Sequence, residues 1–208
     1  MLKTLRALAL AVAASAVMTA GASAQSRITI GTNPQGSLYY TVGGGMAAAL
    51  QEKLGRQVTV QPFAGSTVYL PLVANGEVTV GINSSIDTGG VFRGDYGADP
   101  QNDLRVLARL WGLRVGMVSR ANDNLIEIKD LKGKKVVTDF SALKAVGLVN
   151  QVMIQAGGLS LDEVDGVTVS SLKPGMDALT EGNLDASSIA VGIPMTQQAH
   201  ASIPGGIR

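Results

Sequence analysis

Four short turns gather the small hydroxyl and amide residues that could meet a ligand. They are residues 31–40 (GTNPQGSLYY), Gly65-Ser66-Thr67, Asn83-Ser84-Ser85 and residues 138–144 (TDFSALK). Each stands where a short β-branched run hands over to a helical pattern. A helix N-terminus presents unpaired backbone N–H groups and a partial positive charge, so such turns suit a carboxylate or a phosphate. Ser37 is of the type that caps a helix through its side-chain oxygen. Lys144 is the odd member, because a cation in the first helical turn opposes the helix dipole. A counter-ion role toward an anionic ligand and plain solvation at the surface both account for it.

Catalytic chemistry finds few candidates. His200 is the only histidine, on an amphipathic stretch with no partner evident in the sequence. That leaves no Ser/His/Asp constellation to argue for, and without cysteine there is no Cys/His cluster for zinc. Asp87, Asp95, Asp99 and Asp103 lack the spacing of a calcium loop and are expected to form turns. The first loop has neither the Gly-Lys-Ser/Thr of a nucleotide-phosphate loop nor the G-x-G-x-x-G of a dinucleotide site. We expect no enzymatic activity, cofactor or metal.

The elements that must position these turns occur twice. A basic residue leads into a strand at Arg27-Ile28-Thr29-Ile30 and again at Lys135-Val136-Val137-Thr138. Each strand is followed by a small-residue loop, a helix (residues 37–54 and 141–156), a second strand (Val58-Thr59-Val60 and Val167-Thr168-Val169), then a helix ending in glycine and another strand. Equivalent positions are offset by 107 (Ile30/Val137), 109 (Val58/Val167) and 106 (Gly76/Gly182). Two such lobes imply a cleft, with all four turns at the carboxyl ends of the strands, where open α/β sheets bind ligands.

Within the first long helix, Val42, Met46, Leu50 and Leu54 are expected to form the buried stripe, and Gly43, Gly44 and Gly45 to pack closely on the sheet. In its counterpart, Val146, Val149, Val152, Met153 and Ala156 should face inward and Asn150, Gln151 and Gln155 outward, with Gly157-Gly158 ending the helix. A strand is expected over residues 78–82, and Pro194 should open a last helix. Residues 104–120 read as two extended segments broken at Trp111-Gly112, a hinge candidate. The lobes are placed at residues 25–112 and 113–208.

The N-terminus has the pattern of an export signal. Lys3 and Arg6 precede an apolar region over residues 8–17, and Ala22-Ser23-Ala24 forms a small-residue cleavage site, which places the mature N-terminus at Gln25. The apolar stretch is too short to span a bilayer. The mature chain is expected in the periplasm, without membrane insertion. It keeps 15 basic residues against 16 acidic ones, a balance that gives no footprint for nucleic acid or an anionic membrane surface. Stability must come from core burial rather than disulfides.

Four segments together resemble the TAXI family of solute-binding proteins, the extracytoplasmic receptors of TRAP transporters. They are residues 28–50 (ITIGTNPQGSLYYTVGGGMAAAL), 58–85 (VTVQPFAGSTVYLPLVANGEVTVGINSS), 130–137 (DLKGKKVV) and 182–194 (GNLDASSIAVGIP). The resemblance implies an α/β fold, two-lobed and periplasmic-binding-protein-like (type II), with two crossover strands. It further implies a monomer that captures a small organic anion, such as glutamate or another carboxylate, and passes it to the membrane subunits of an ion-driven TRAP transporter. Carried over by motif, Gly36, Ser37 and Tyr39 match the first ligand loop, Ser66 and Thr67 the second, and Ser84 with Ser85 the third. Lobe two departs: where many relatives have Gly-Ser-Gly, this chain has residues 138–144, with Ser141 and Lys144 as candidate ligand groups. Lys144 is expected to add a charge-assisted hydrogen bond when the lobes meet. The chain stops soon after its last helix with no strand returning to lobe one, so a sequence truncated at the C-terminus is expected.

Two other functions remain open at this point. A receptor for an ATP-driven importer or a sensor kinase would share the fold, because fold does not reveal the client. An enzyme on the same two-lobed scaffold, such as a porphobilinogen-deaminase-like protein, would need a cysteine to hold its cofactor, and the chain has none.

Overall fold

The computed structural model describes residues 27–208; the expected export signal lies outside the described residues. The chain builds two separate sheets. In the first, β1 (Ile28–Thr32) lies between β2 (Val58–Pro62) and β3 (Val80–Gly81), all parallel, in the order β2-β1-β3. The connecting helices are α1 (Leu38–Leu54) and α2 (Ser66–Ala74), and α3 (Ser85–Arg93) follows β3. The second sheet holds β4 (Val115–Ser119), β5 (Lys135–Phe140), β6 (Asp165–Val169) and β7 (Ala186–Ala190) in the order β4-β7-β5-β6. Its helices are α4 (Lys144–Ala156), α5 (Leu172–Thr180) and α6 (Pro194–Ser202).

Set aside β4, which runs antiparallel to β7, and the second sheet reads β6-β5-β7, all parallel. That is the arrangement β2-β1-β3 again, with the first strand of each copy in the middle. The sequence repeat is therefore a repeat of topology. Because the first strand is central in both copies, its two neighbours leave it in opposite directions across the sheet. The switch point lies at its carboxyl end, and the candidate turns leave the sheets there.

Each sheet carries its own core. Phe140, Leu143, Leu179, Ile189 and Ile193 are sealed between the second sheet and its helices. Ile30, Tyr39, Ala47, Val58 and Ile82 pack under α1, and Tyr69, Leu70, Val91 and Leu104 fill the space around α2 and α3. Gly43 lets α1 approach the sheet, since a methyl group there would stand 2.8 Å from the Thr32 side chain.

Several expectations need correction. Gly44 and Gly45 have open space around them and do no packing. On α1, Val42, Met46 and Leu50 only flank the core and Leu54 is half exposed, while Tyr39, Gly43 and Ala47 are the buried face. The α4 face is rotated from the expected one: Ala145, Gly147, Asn150 and Ile154 are buried and Val152 is exposed. Asn150 turns inward because its Nδ2 donates to the Val137 carbonyl at 2.7 Å. The helix also starts at Lys144 rather than residue 141, as Ala142 and Leu143 are buried in the turn before it. β3 is shorter than residues 78–82, although the Ile82 amide still bonds to Gly31 O at 3.0 Å. Residues 105–114 carry no regular structure, so the first of the two extended segments forms no strand.

Candidate functional site

The polar residues that lobe one buries lie mostly at one end of its sheet. Thr32, Asn33, Ser37, Ser66 and Asp87 are all buried there, beyond the carboxyl ends of β1 and β3 and at the helices that follow. Ser37 caps α1 as expected, its Oγ accepting from the Tyr40 amide at 3.2 Å. Gly36 precedes it at φ 83°, a left-handed conformation that only glycine adopts without strain. Ser66 opens α2, with Oγ donating to Asn33 Oδ1 at 3.5 Å. Ser84 caps α3 and accepts from the Asp87 amide at 2.9 Å. Tyr39 lies edge-on to Trp111 at 6.0 Å between ring centroids. Its hydroxyl pKa is pushed up to about 12, first by burial and then by the nearby Asp87 charge.

Lobe two meets this surface directly. The Thr67 amide donates to Ala142 O, and the Met195 amide to Gly36 O, both at 3.4 Å. Gly65 faces the Ala142 carbonyl so closely that a methyl group would overlap it. The shortest link is from the Ala145 amide, in the first turn of α4, to Asp87 Oδ1 at 2.7 Å. Thr67, Tyr96, Ser141 and Lys144 help to line a cavity of about 230 Å³, whose lining includes neither Asp87 nor Ala145. The Lys144 ammonium bonds to Asp139 Oδ2 at 2.7 Å within its own lobe.

Of the nine expected site residues, Gly36 and Thr67 bond to lobe two, with Ser37 and Ser66 beside them; Ser84 caps the helix that carries Asp87, and Tyr39 packs into the core of its own lobe against Trp111. Ser141 and Lys144 approach from the other side. Ser85 does not join them: it is exposed and lines an open depression with Thr88, Phe92 and Arg105. Sequence reasoning placed Gly65 in a candidate turn without a role of its own, and missed Asp87 and the Ala145 amide. Asp87 was expected to form a turn; instead it is buried at the third position of α3. The only local hint was its place after a Ser cap, where acidic residues are common for helical reasons alone. His200 is exposed, and its Nδ1 accepts from the Ile207 amide at 3.2 Å.

Chemically, this junction can hold negative charge on backbone amides and hydroxyls. Burial raises the Asp87 carboxyl above its ordinary range, and the Ala145, Ser66 and Ser84 donors only partly offset that. A carboxyl raised in the folded state contributes stability that is complete below its unfolded pKa and is lost as pH rises through the folded one. At neutral pH, Asp87→Asn is therefore expected to melt at or above the parent temperature. The gap should narrow as pH falls toward the ordinary carboxylate range. Paired melting curves from pH 8 to pH 4 check this; a gap that widens on acidification contradicts it.

Among the described residues no group of three or more His, Cys, Asp and Glu could hold a metal, and no helix is long and apolar enough to cross a membrane. The fold is that of periplasmic binding proteins. It is similar to the alkanesulfonate-binding protein SsuA from Xanthomonas axonopodis pv. citri bound to MOPS (TM-score 0.60, 18% identity, 88% of this chain and 59% of that one). It is similar to an amino acid ABC transporter substrate-binding protein from Streptococcus pneumoniae bound to L-arginine (TM-score 0.59, 13% identity, 88% and 73%). It is also similar to a structure described as a periplasmic transporter (TM-score 0.67, 13% identity, 88% and 64%). The chain spans about three fifths of the length of the sulfonate-binding proteins it matches, 59% and 58% for two of them. Residues 30–205 match the NMT1-like family, a span that takes in both sheets and every candidate turn, and the chain belongs to that family.

Proposed function

We propose that this protein is an exported solute-binding receptor, cleaved after Ala24, that captures a small organic anion between its lobes and delivers it to a membrane transporter. The observation that carries this reading is the bond from the Ala145 amide to Asp87, a carboxylate oxygen seated 2.7 Å from the first turn of α4. An anion at a helix N-terminus needs no buried lysine or arginine. Gly36, Ser37, Tyr39, Ser66, Thr67 and Ser84 would form the lobe-one wall, with Ser141 and Lys144 opposite. The structural neighbours are named for sulfonates and arginine, ligands that carry an anionic group, and as binding proteins rather than enzymes.

The resemblance to TAXI receptors favours a TRAP-type, ion-driven partner. Likeness to the substrate-binding protein of an ABC transporter favours a second possibility, an ATP-driven importer. Uptake into vesicles carrying the cognate membrane subunits separates them: collapse of the ion gradient stops the first, and ATP depletion stops the second.

Ligand class is tested by thermal shift against carboxylates, sulfonates, amino acids and neutral sugars. A ligand at 100 times Kd adds about 2.7 kcal/mol, enough to see. Stabilisation by anions is expected, and stabilisation only by sugars contradicts the proposal. Lys144→Ala should weaken anion binding about tenfold. A charge-assisted hydrogen bond is worth ~1.5–3 kcal/mol, and parting Lys144 from Asp139 consumes some of it. Titration calorimetry decides; a variant that binds like the parent makes Lys144 a local partner of Asp139 only.

A further inference from the structure

Asp87 is the only charged residue among those fully buried in the described chain. None of the ion pairs found among the described residues includes it. Lys144, one residue from its amide partner, is turned away onto Asp139. A buried carboxylate without a cation is costly, and a fold keeps one only where donors hold it. Here the donor that crosses the cleft belongs to the other lobe. The two further hydrogen bonds across the cleft, Thr67 to Ala142 and Met195 to Gly36, are both 3.4 Å long, against 2.7 Å for the Asp87 bond.

We propose that Asp87 is an internal latch: its carboxylate holds the lobes together by occupying the α4 amide that an anionic ligand would use. Ligand and Asp87 then compete for one donor, and the ligand binds by releasing the latch and taking its place. This rests on the anion-cleft reading given above. The surroundings fit a contact that can be given up. Tyr39, Tyr69 and Tyr96 lie close enough to feel the Asp87 charge, each is neutral near pH 7, and no ion pair found among the described residues reaches Asp87. Burial raises its pKa, so the buried charge is under stress that exposure relieves. Thr67, which also touches lobe two, lines the 230 Å³ cavity together with Lys144, the residue before Ala145.

The test uses the mature chain and Asp87→Ala, with circular dichroism to establish that the variant folds. Without added solute, small-angle scattering should give a larger radius of gyration for the variant. Hydrogen exchange at the Ala145 amide should quicken at least about tenfold, while the Ile154 amide in the same helix stays protected. Titration with glutamate, succinate and methanesulfonate should then show at least about tenfold tighter binding of whichever anion the parent binds. Unchanged dimensions and unchanged Ala145 exchange overturn the latch. Weaker anion binding also overturns it, because Asp87 would then be a ligand contact, as for the ammonium of an amino acid. If the variant opens but neither protein binds any of the three anions, the latch stands and the anion-cleft reading fails. If Asp87→Ala does not fold, the isosteric Asp87→Asn is titrated instead. Loss of the buried negative charge should raise anion affinity, and an affinity equal to or below the parent's overturns the proposal.

Discussion

Adding one methyl group at Gly65 is expected to cost the cleft roughly 100-fold in affinity for its anion while leaving each lobe folded. The Gly65 backbone is extended, at φ 177°, a conformation open to any residue, so alanine adds no strain within lobe one. The obstacle is across the cleft, where the new carbon would overlap the Ala142 carbonyl. Backbone cannot swing aside as a flexible side chain can, so the lobes must separate or tilt. Hydrogen bonds from lobe two to the ligand then lengthen together. One or two charge-assisted bonds at ~1.5–3 kcal/mol each bracket a 100-fold loss, which is about 2.7 kcal/mol. Calorimetry on Gly65→Ala with the anion returned by the thermal-shift screen checks this, alongside melting temperature. An affinity within threefold of the parent means that the lobes do not need this approach to hold ligand.

Phe140→Ala is expected to destabilise the second lobe by about 3–5 kcal/mol, the usual cost of emptying a fully buried phenylalanine site. Phe140 is fully buried at the end of β5, inside the cluster that includes Leu143, Leu179, Ile189 and Ile193. It also fixes the turn that follows, since the Leu143 amide bonds back to Phe140 O at 3.3 Å and α4 begins immediately after. Loss of the ring should therefore loosen the first turn of α4 as well as lower stability. A domain is stable by only about 5–15 kcal/mol, so the loss is a substantial share of the total. Urea denaturation measures the change; a loss below about 1 kcal/mol would mean that the pocket collapses around the smaller side chain.

The repeat was readable because strand and helix periodicities survive when residue identities diverge, as at Ile30 and Val137. Turn chemistry was readable at Ser37, where a capping side chain acts on its own helix and needs no distant partner. What failed depended on contacts far apart in sequence. Asn150 looks solvent-facing by pattern, but a single carbonyl, that of Val137, draws it inside. Gly44 and Gly45 are chemically identical to Gly43, and only Gly43 faces the sheet, against Thr32, Val60 and Ile82. By sequence, Asp87 groups with aspartates of which Asp95 and Asp103 do lie in turns and Asp99 does not, and the amide that bonds to it lies 58 residues away. The local turn at the start of α1 was thus legible, whereas the way lobe two meets lobe one was not.

The anion cleft is tested most directly by following backbone amides by NMR during titration of the mature chain with succinate, methanesulfonate and a neutral sugar. Saturable shifts are expected for an anion at Ser37, Tyr39, Ser66, Lys144 and Ala145, with the Ala145 amide among the largest because it exchanges Asp87 for the ligand. The neutral sugar should move none of them. Anion-dependent shifts scattered over the surface and absent at Ala145, or saturable binding of the sugar at these same amides, would contradict an anion site between the lobes.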